Sequence, residues 1–439
     1  MQDEPLDVAI VGGGIAGLTL ARGLLTRNVT VRVYERAHSL REIGAGIGFT
    51  PNAERAMKAV DPLIHAAFKK VATRNTSDWF QWVDGYHEAG GDPRQTEEKL
   101  LFKLYLGERG FEGCARADFL DELVKSIPAA TVEFQKSLDK IVDWGDGEKL
   151  LLTFHDGTEA QADAVIGCDG IRSRVRQLVL GEENPASYPH YSHKYAARGL
   201  IPMDKAKAAL GDYKSSTRFM HLGPDAHALT FPVAMGSLLN VVAFVSDPEE
   251  WPYSDRMTAS ATKTEVAAAF NTFGPTVRTI IDLLPDQIDK WAVFDTYDHP
   301  VTTFAYDRIC LSGDAAHAAA PHHGAGAGFC IEDAAVLCSL MVTASSTIRE
   351  SRSSKAEIIR AAFATYDAVR RERAQWLVDS SRRIGELYEW QDPQAGRDTD
   401  KCRHEADWRA HTIWDYDIDA MLNGTSEEYS RRLKALVKN

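Results

Sequence analysis

Apolar residues in this chain gather in short runs that end in glycine. Residues 7–11 (DVAIV) lead directly into three glycines. Residues 15–27 (IAGLTLARGLLTR) then follow helical spacing, and residues 30–35 (TVRVYE) alternate as a second strand. Strand, tight turn, helix and strand in so short a span make a βαβ crossover, which requires parallel strands.

Beyond it the spacing predicts a helix over 52–70, a mixed aromatic and glycine-bearing stretch over 72–114, and an amphipathic helix over 116–127. Two strand-like runs over 131–155, joined by GDGE, read as a hairpin. DAVIGCDG at 163–170 is a buried strand entering a turn. Over 189–300, runs such as HALTFPVAMG and LLNVVAFVSD predict an inserted antiparallel sheet. DRICLSGDAAH at 307–317 returns to the strand-then-turn pattern, 353–388 is a long helix, and the charged tail to 439 is helical. The expected division is a discontinuous nucleotide domain (1–75, 112–185 and 302–350), a substrate domain (76–111 and 186–301) and a helical C-terminal region (351–439).

Composition narrows the possible partners. The 439 residues are 44% hydrophobic and carry a net charge of −13. Such a field repels phosphate backbones and anionic lipids, so neither nucleic acid nor a membrane surface is an expected partner. No uncharged apolar run reaches the roughly 18 residues of a membrane span. The acidic start, MQDEPLDVAIVGGG, lacks the basic segment of a signal peptide. Six cysteines without a CxxC pair read as buried thiols in a reducing compartment, and the cytoplasm is the expected location. No metal site is expected: His322 and His323 are adjacent, but no thiolate or carboxylate at ligand spacing accompanies them.

Three motifs carry chemistry. In Gly12-Gly13-Gly14-Ile15-Ala16-Gly17, Gly12 permits the turn, Gly14 lets backbone approach a pyrophosphate, and Gly17 allows close helix–strand packing. The helix start attracts the anion. Glu35 ends the second strand, where its carboxylate can accept from an adenosine ribose and disfavours a 2′-phosphate. The second motif is DAVIGCDGIRSRVR at 163–176. The third is SGDAAH at 312–317, followed by PHHGAGAG at 321–328 and IEDA at 331–334. A helix start built of small residues can lie close to a flat ring and stabilise negative charge on it.

In this order the three motifs resemble the single-component FAD-dependent aromatic hydroxylases, and the resemblance covers nearly the whole chain. PHHGAGAG and YDAVRRERAQ (366–375) look most like the salicylate hydroxylase branch. The resemblance implies the aromatic hydroxylase fold: an α/β Rossmann-type FAD-binding domain, an inserted antiparallel substrate sheet and C-terminal helices. It implies FAD as cofactor and NAD(P)H as a transient co-substrate, since no second GxGxxG exists. It implies that Gly48 lies near the flavin, that Arg116 contacts the diphosphate region, and that Asp314 binds ribityl or pyrophosphate oxygens. Gly326 and Ala327 would offer backbone to the flavin ring, and Asp169 with Gly170 would serve both FAD and NAD(P)H.

The substrate so implied is a small phenol or hydroxybenzoate, attacked with O₂; with salicylate, oxidative decarboxylation would give catechol. Arg198, in KYAARGLIP, would hold a phenolate or carboxylate in a bidentate grip. His227 in HALTFP and His322 in the third motif are candidates to act on the phenol, whereas His317 reads as structural. Phe231 stands where a dearomatising subgroup carries tyrosine, which points towards simple or decarboxylative hydroxylation. The alternatives are a hydroxylase of larger polyketide-derived phenols, an oxidase that releases peroxide, and a non-catalytic carrier on the same nucleotide fold. The expected assembly is a monomer or homodimer.

Overall fold

The computed structural model describes residues 5–27, 29–39, 46–87, 92, 94, 98–107, 111–145, 147–351 and 353–436. The apolar runs that end in glycine become the core of a six-stranded sheet. Its order is Ala305–Tyr306, Ile309–Leu311, Ala164–Gly167, Asp7–Val11, Thr30–Glu35 and Val132–Phe134. All pairings are parallel except the hairpin of the first two strands. The helix Ile15–Leu25 packs on this sheet against the 25-residue helix Gly326–Glu350. Gly23 makes that approach possible, because a methyl there would fall 2.4 Å from the Cys338 sulfur.

The helix expected over 52–70 is two helices, Pro51–Val60 and Pro62–Val71. Asp61 between them is extended, as the residue before a proline prefers, and its carboxylate accepts from Leu63 N (2.8 Å) to cap the second helix. The long helix Lys355–Tyr388 starts from a capping box between Ser354 and Glu357.

An eight-stranded sheet forms the second layer. Its order is Thr258–Thr262, Gln287–Asp295, His190–Pro202, Leu238–Ser246, Ala226–Val233, Phe219–Gly223, Trp79–Asp84 and Leu100–Tyr105. The antiparallel expectation holds for every pair but one: Phe219–Gly223 and Trp79–Asp84 run parallel. The hairpin 79–105 comes from an earlier part of the chain and adds to the sheet edge, so no tight turn fixes its direction. Alternation along these strands gives the sheet two apolar faces. Ala197, Ala228, Val241 and Ala243 bury one face against the helices Met203–Leu210, Lys263–Ala269 and Pro275–Asp282. The opposite face, with Ala196, Val242 and Phe244, packs against Ala320, which directly precedes the third motif.

Among the described residues, one helix, Gly326–Glu350, is long and apolar enough to cross a membrane. It is the buried central helix, and it carries Glu332 and Asp333 fully buried. Arg370 bridges the two, with its Nε 2.8 Å from Asp333 Oδ1 and an Nη 2.7 Å from Glu332 Oε2, and Arg373 Nε adds a second cation 2.8 Å from Glu332 Oε2.

Candidate active site

The first turn has the geometry that its glycines allow. Gly12 adopts φ +106°, and a Cβ there would meet the Cys168 carbonyl oxygen at 2.3 Å. Gly14 precedes the helix Ile15–Leu25, whose N-terminus has no side-chain cap, and a Cβ on Gly14 would meet nothing within 4 Å. That open space beside uncapped N–H groups suits a pyrophosphate. Glu35 Oε2 accepts from Gly13 N (2.6 Å) and Oε1 from Ala37 N (2.8 Å). Each oxygen keeps a lone pair for a ribose hydroxyl.

Gly12, Gly14 and Glu35 line a cavity of about 200 Å³ together with Arg116, Asp169 and Gly170. Arg36, Lys136, Arg172 and Arg174 also border it. The chain as a whole is acidic, so this cationic rim is a local inversion of the field and fits a diphosphate. The donor set and the cradle at Gly14 therefore fit the FAD that the sequence implies.

Asp169 lines the same cavity, but both of its oxygens are engaged within the fold. Oδ1 accepts from Ser173 Oγ (2.5 Å), and Oδ2 accepts from Arg174 N (2.6 Å) and Val175 N (3.0 Å). Burial raises its pKa and these hydrogen bonds oppose the rise. It caps the helix Arg174–Leu180, while Gly170 turns the backbone at φ +79°. Beneath it, the fully buried Arg176 donates to Ile171 O (2.5 Å) and Ala315 O (3.0 Å) and so joins the second motif to the third. The sequence reading did not single out Arg176.

In the third motif, Asp333 Oδ2 accepts from Gly313 N (2.9 Å) and meets His317 Nε2 (2.6 Å). His317 is thus tied to the buried Asp333 of the same motif. Asp314 is exposed, although crowding by the surrounding protein raises its pKa. Gly324 takes a left-handed conformation (φ +63°) that turns the chain into the helix Gly326–Glu350. Ala325 offers that helix no side-chain cap, and a Cβ on Gly326 would meet nothing within 4 Å. Free N–H groups and open space therefore coincide at Gly326, with Ala327 next to it in the first turn of the helix. Gly48 differs: it is buried, and a Cβ there would fall 2.0 Å from the Phe111 ring. Its small size makes room for an aromatic wall of the protein itself. The neighbouring glycine of GAGIGF, Gly44, lies outside the described residues.

The structure brings Arg198, His227 and His322 to one sheet face. Arg198 pairs with Val242, which pairs with Leu229; one step along the face, Ala196 pairs with Phe244, which pairs with His227. The Arg198 guanidinium lies 5.2 Å over the Trp291 ring, its Nε has no hydrogen-bond partner, and burial lowers its pKa to about 10. His227 stacks on Phe244 (4.5 Å), and His322 lies 4.7 Å from the same ring and 5.3 Å from His227. Burial pushes the pKa of both histidines down. His227 Nε2 and His322 Nδ1 are buried without partners.

Sequence reasoning missed Glu389, whose Oε1 lies 3.0 Å from His227 Nδ1, and Lys194, which contacts Glu389. Glu389 follows a charged helix, so its position reads as surface; only folding places it there. Among the described residues, no group of His, Cys, Asp and Glu could hold a metal ion.

Comparison with known proteins agrees with this geometry. A model described as "FAD binding domain" matches residues 5–381. The FAD-dependent monooxygenase orf3 of Aspergillus niger is 65% identical, with all of both chains covered. The dual trans-enoyl reductase/FAD-dependent monooxygenase tazHJ of Aspergillus terreus is 59% identical over 98% of this chain and 61% of its own length. A salicylate hydroxylase solved as a substrate complex is 32% identical, with a TM-score of 0.81 over 96% of this chain and 98% of that one. These relatives are enzymes, which removes the non-catalytic carrier from consideration. On this match and these identities, the chain belongs to the FAD-dependent aromatic hydroxylases that share this FAD binding domain.

Proposed function

We propose that the enzyme hydroxylates a phenolic aromatic ring, held as its anion by Arg198, at the expense of NAD(P)H and O₂. The observation that carries this reading is the half-buried Arg198, its guanidinium stacked on Trp291 and its Nε buried without a partner, on the sheet face turned towards the third motif. A cation drawn partly out of water without a carboxylate partner is costly unless an anion or acceptor joins it. FAD supplies reduction by NAD(P)H and activation of O₂. The protein binds and orients the ring, and the apolar strip of Ala196, Val242, Phe244, Val293 and Ala320 excludes water. On this reading the division of labour follows the two sheets, with 76–111 and 186–301 as the substrate domain. The six buried free cysteines support a cytoplasmic setting.

A second reading concerns substrate size. The relative tazHJ joins this chain's counterpart to a trans-enoyl reductase. Enoyl reduction belongs to acyl-chain assembly, which favours a larger, polyketide-derived phenol over salicylate. A panel of hydroxybenzoates and acylated resorcinols, reading NAD(P)H consumption and CO₂ release together, separates the two. Preference for salicylate with CO₂ release supports the small acid; preference for acylated rings without CO₂ supports the larger phenol. Consumption that no phenol accelerates overturns both.

A further inference from the structure

We propose that Glu389 is a positioning residue that holds His227 ready to receive, through His322, the proton released when the substrate phenol becomes a phenolate. This rests on the phenolic reading above. A phenol that enters a dry site must lose its proton to a protein group, since bulk water is not at hand.

Four elements converge on the group. Glu389 follows the helix Lys355–Tyr388, His227 lies in Ala226–Val233, Lys194 in His190–Pro202, and His322 in the third motif. Glu389 Oε1 meets His227 Nδ1 at 3.0 Å, and Glu389 Oε2 contacts Lys194 and accepts from Ser246 Oγ (2.6 Å). A carboxylate only accepts, so Nδ1 of His227 carries the hydrogen and Nε2 is the bare acceptor. That nitrogen is one of the buried orphans, as is His322 Nδ1, and the two rings are 5.3 Å apart. The two rings are not hydrogen-bonded to each other in this structure, so the transfer requires a rotation of one ring that brings its nitrogen within hydrogen-bond reach of the other.

The steps balance without an added reagent. The phenol O–H bond breaks and its proton joins one nitrogen of His322. The other nitrogen of His322 gives its proton to His227 Nε2. The new imidazolium keeps its Nδ1 hydrogen bond to the Glu389 carboxylate, whose charge stabilises it.

Other charged and titratable groups around the pair are few. Lys194 favours the ionised form of Glu389, Tyr388 lies edge-on to His227 at 5.4 Å, and His323 adjoins His322. Glu386 lies on the same helix and interacts with Lys194. Lys194 also donates to Gln391 (2.9 Å), which in turn donates to Asp225 (2.9 Å) at the surface.

The test uses the full-length FAD-loaded enzyme with 2,4-dihydroxybenzaldehyde and salicylate as probes. Glu389→Gln removes the charge, and the double variant Lys194→Met/Glu389→Gln removes both charges in case the single variant folds poorly. Expected is a fall in kcat/KM of about 100-fold at neutral pH, the usual worth of a placed base, with FAD content unchanged. With 2,4-dihydroxybenzaldehyde, whose carbonyl-activated phenol ionises within the working pH range, the defect should shrink towards wild type as the pH is raised past the phenol's own pKa, because an ionised substrate no longer needs the relay. A loss of equal size at every pH, or no loss, overturns the proposal while leaving the phenolic reading intact. A wild-type enzyme that hydroxylates neither probe nor any phenol of the panel overturns both.

Discussion

The carbonyl oxygen of Gly12 occupies the space that a side chain on Gly17 would need: a Cβ there would fall 2.0 Å from it. The turn and the helix after it are thus locked together by the absence of one carbon. Gly17→Ala should destabilise the apo-protein by about 1–3 kcal/mol or more, the range of an overpacked site that must shift backbone. Gly14→Ala should behave in the opposite way, because a Cβ there meets no protein atom within 4 Å. It should leave apo stability nearly unchanged and weaken FAD binding. Thermal melts with and without FAD check the pair; equal apo stability for the two variants contradicts the assignment.

Glu35 lines the nucleotide cavity while holding Gly13 N and Ala37 N. Glu35→Ala should weaken FAD binding by about 1–3 kcal/mol, the cost of leaving buried partners unpaired. Fluorescence titration of apo-protein with FAD reads this directly.

Arg198→Ala should lower kcat/KM for the preferred phenol by about 10- to 100-fold, the equivalent of about 1.5–3 kcal/mol for hydrogen bonds to a charged group. FAD content should not change, since Arg198 lies on the eight-stranded sheet and does not line the nucleotide cavity. Steady-state kinetics with peroxide detection checks it, and unchanged turnover and coupling would refute the substrate assignment.

Burial and the nearby Arg409 lower the His323 pKa to about 3. An unfolded histidine titrates near 6.5. Between these values the unfolded chain binds the proton and the folded chain does not, so stability rises with pH across that window and is lost as pH falls through it. Each such histidine contributes about 1.4 kcal/mol per pH unit. His322 and His227 act in the same sense, whereas the raised carboxyls of Asp169 and Asp314 oppose it. The contrast between wild type and His323→Gln isolates one group. Denaturant melts from pH 4 to 6 should show the variant with the shallower slope.

The parts legible in the sequence were those that backbone sterics dictate locally. Gly12, Gly17 and Gly324 stand where a Cβ would clash or φ is positive, and the acid at 35 follows from strand length. The break at Asp61–Pro62 was also written in the chain, since proline rejects a helical predecessor, yet the apolar spacing continues across it. Asp169 and Ser173 together spell a helix cap, a signal that the nucleotide motif overshadowed. The Glu389–His227 contact joins residues 162 apart and had no local signature. The parallel pair of the eight-stranded sheet was hidden for the same reason: no turn connects Trp79–Asp84 to Phe219–Gly223.

Product analysis under isotopically labelled O₂ tests the central claim most directly. The FAD-loaded enzyme, given NAD(P)H and its preferred phenol, should place one labelled oxygen atom in each product molecule for each NAD(P)H consumed. NAD(P)H oxidation that yields labelled peroxide, with no label in the organic product, would contradict it.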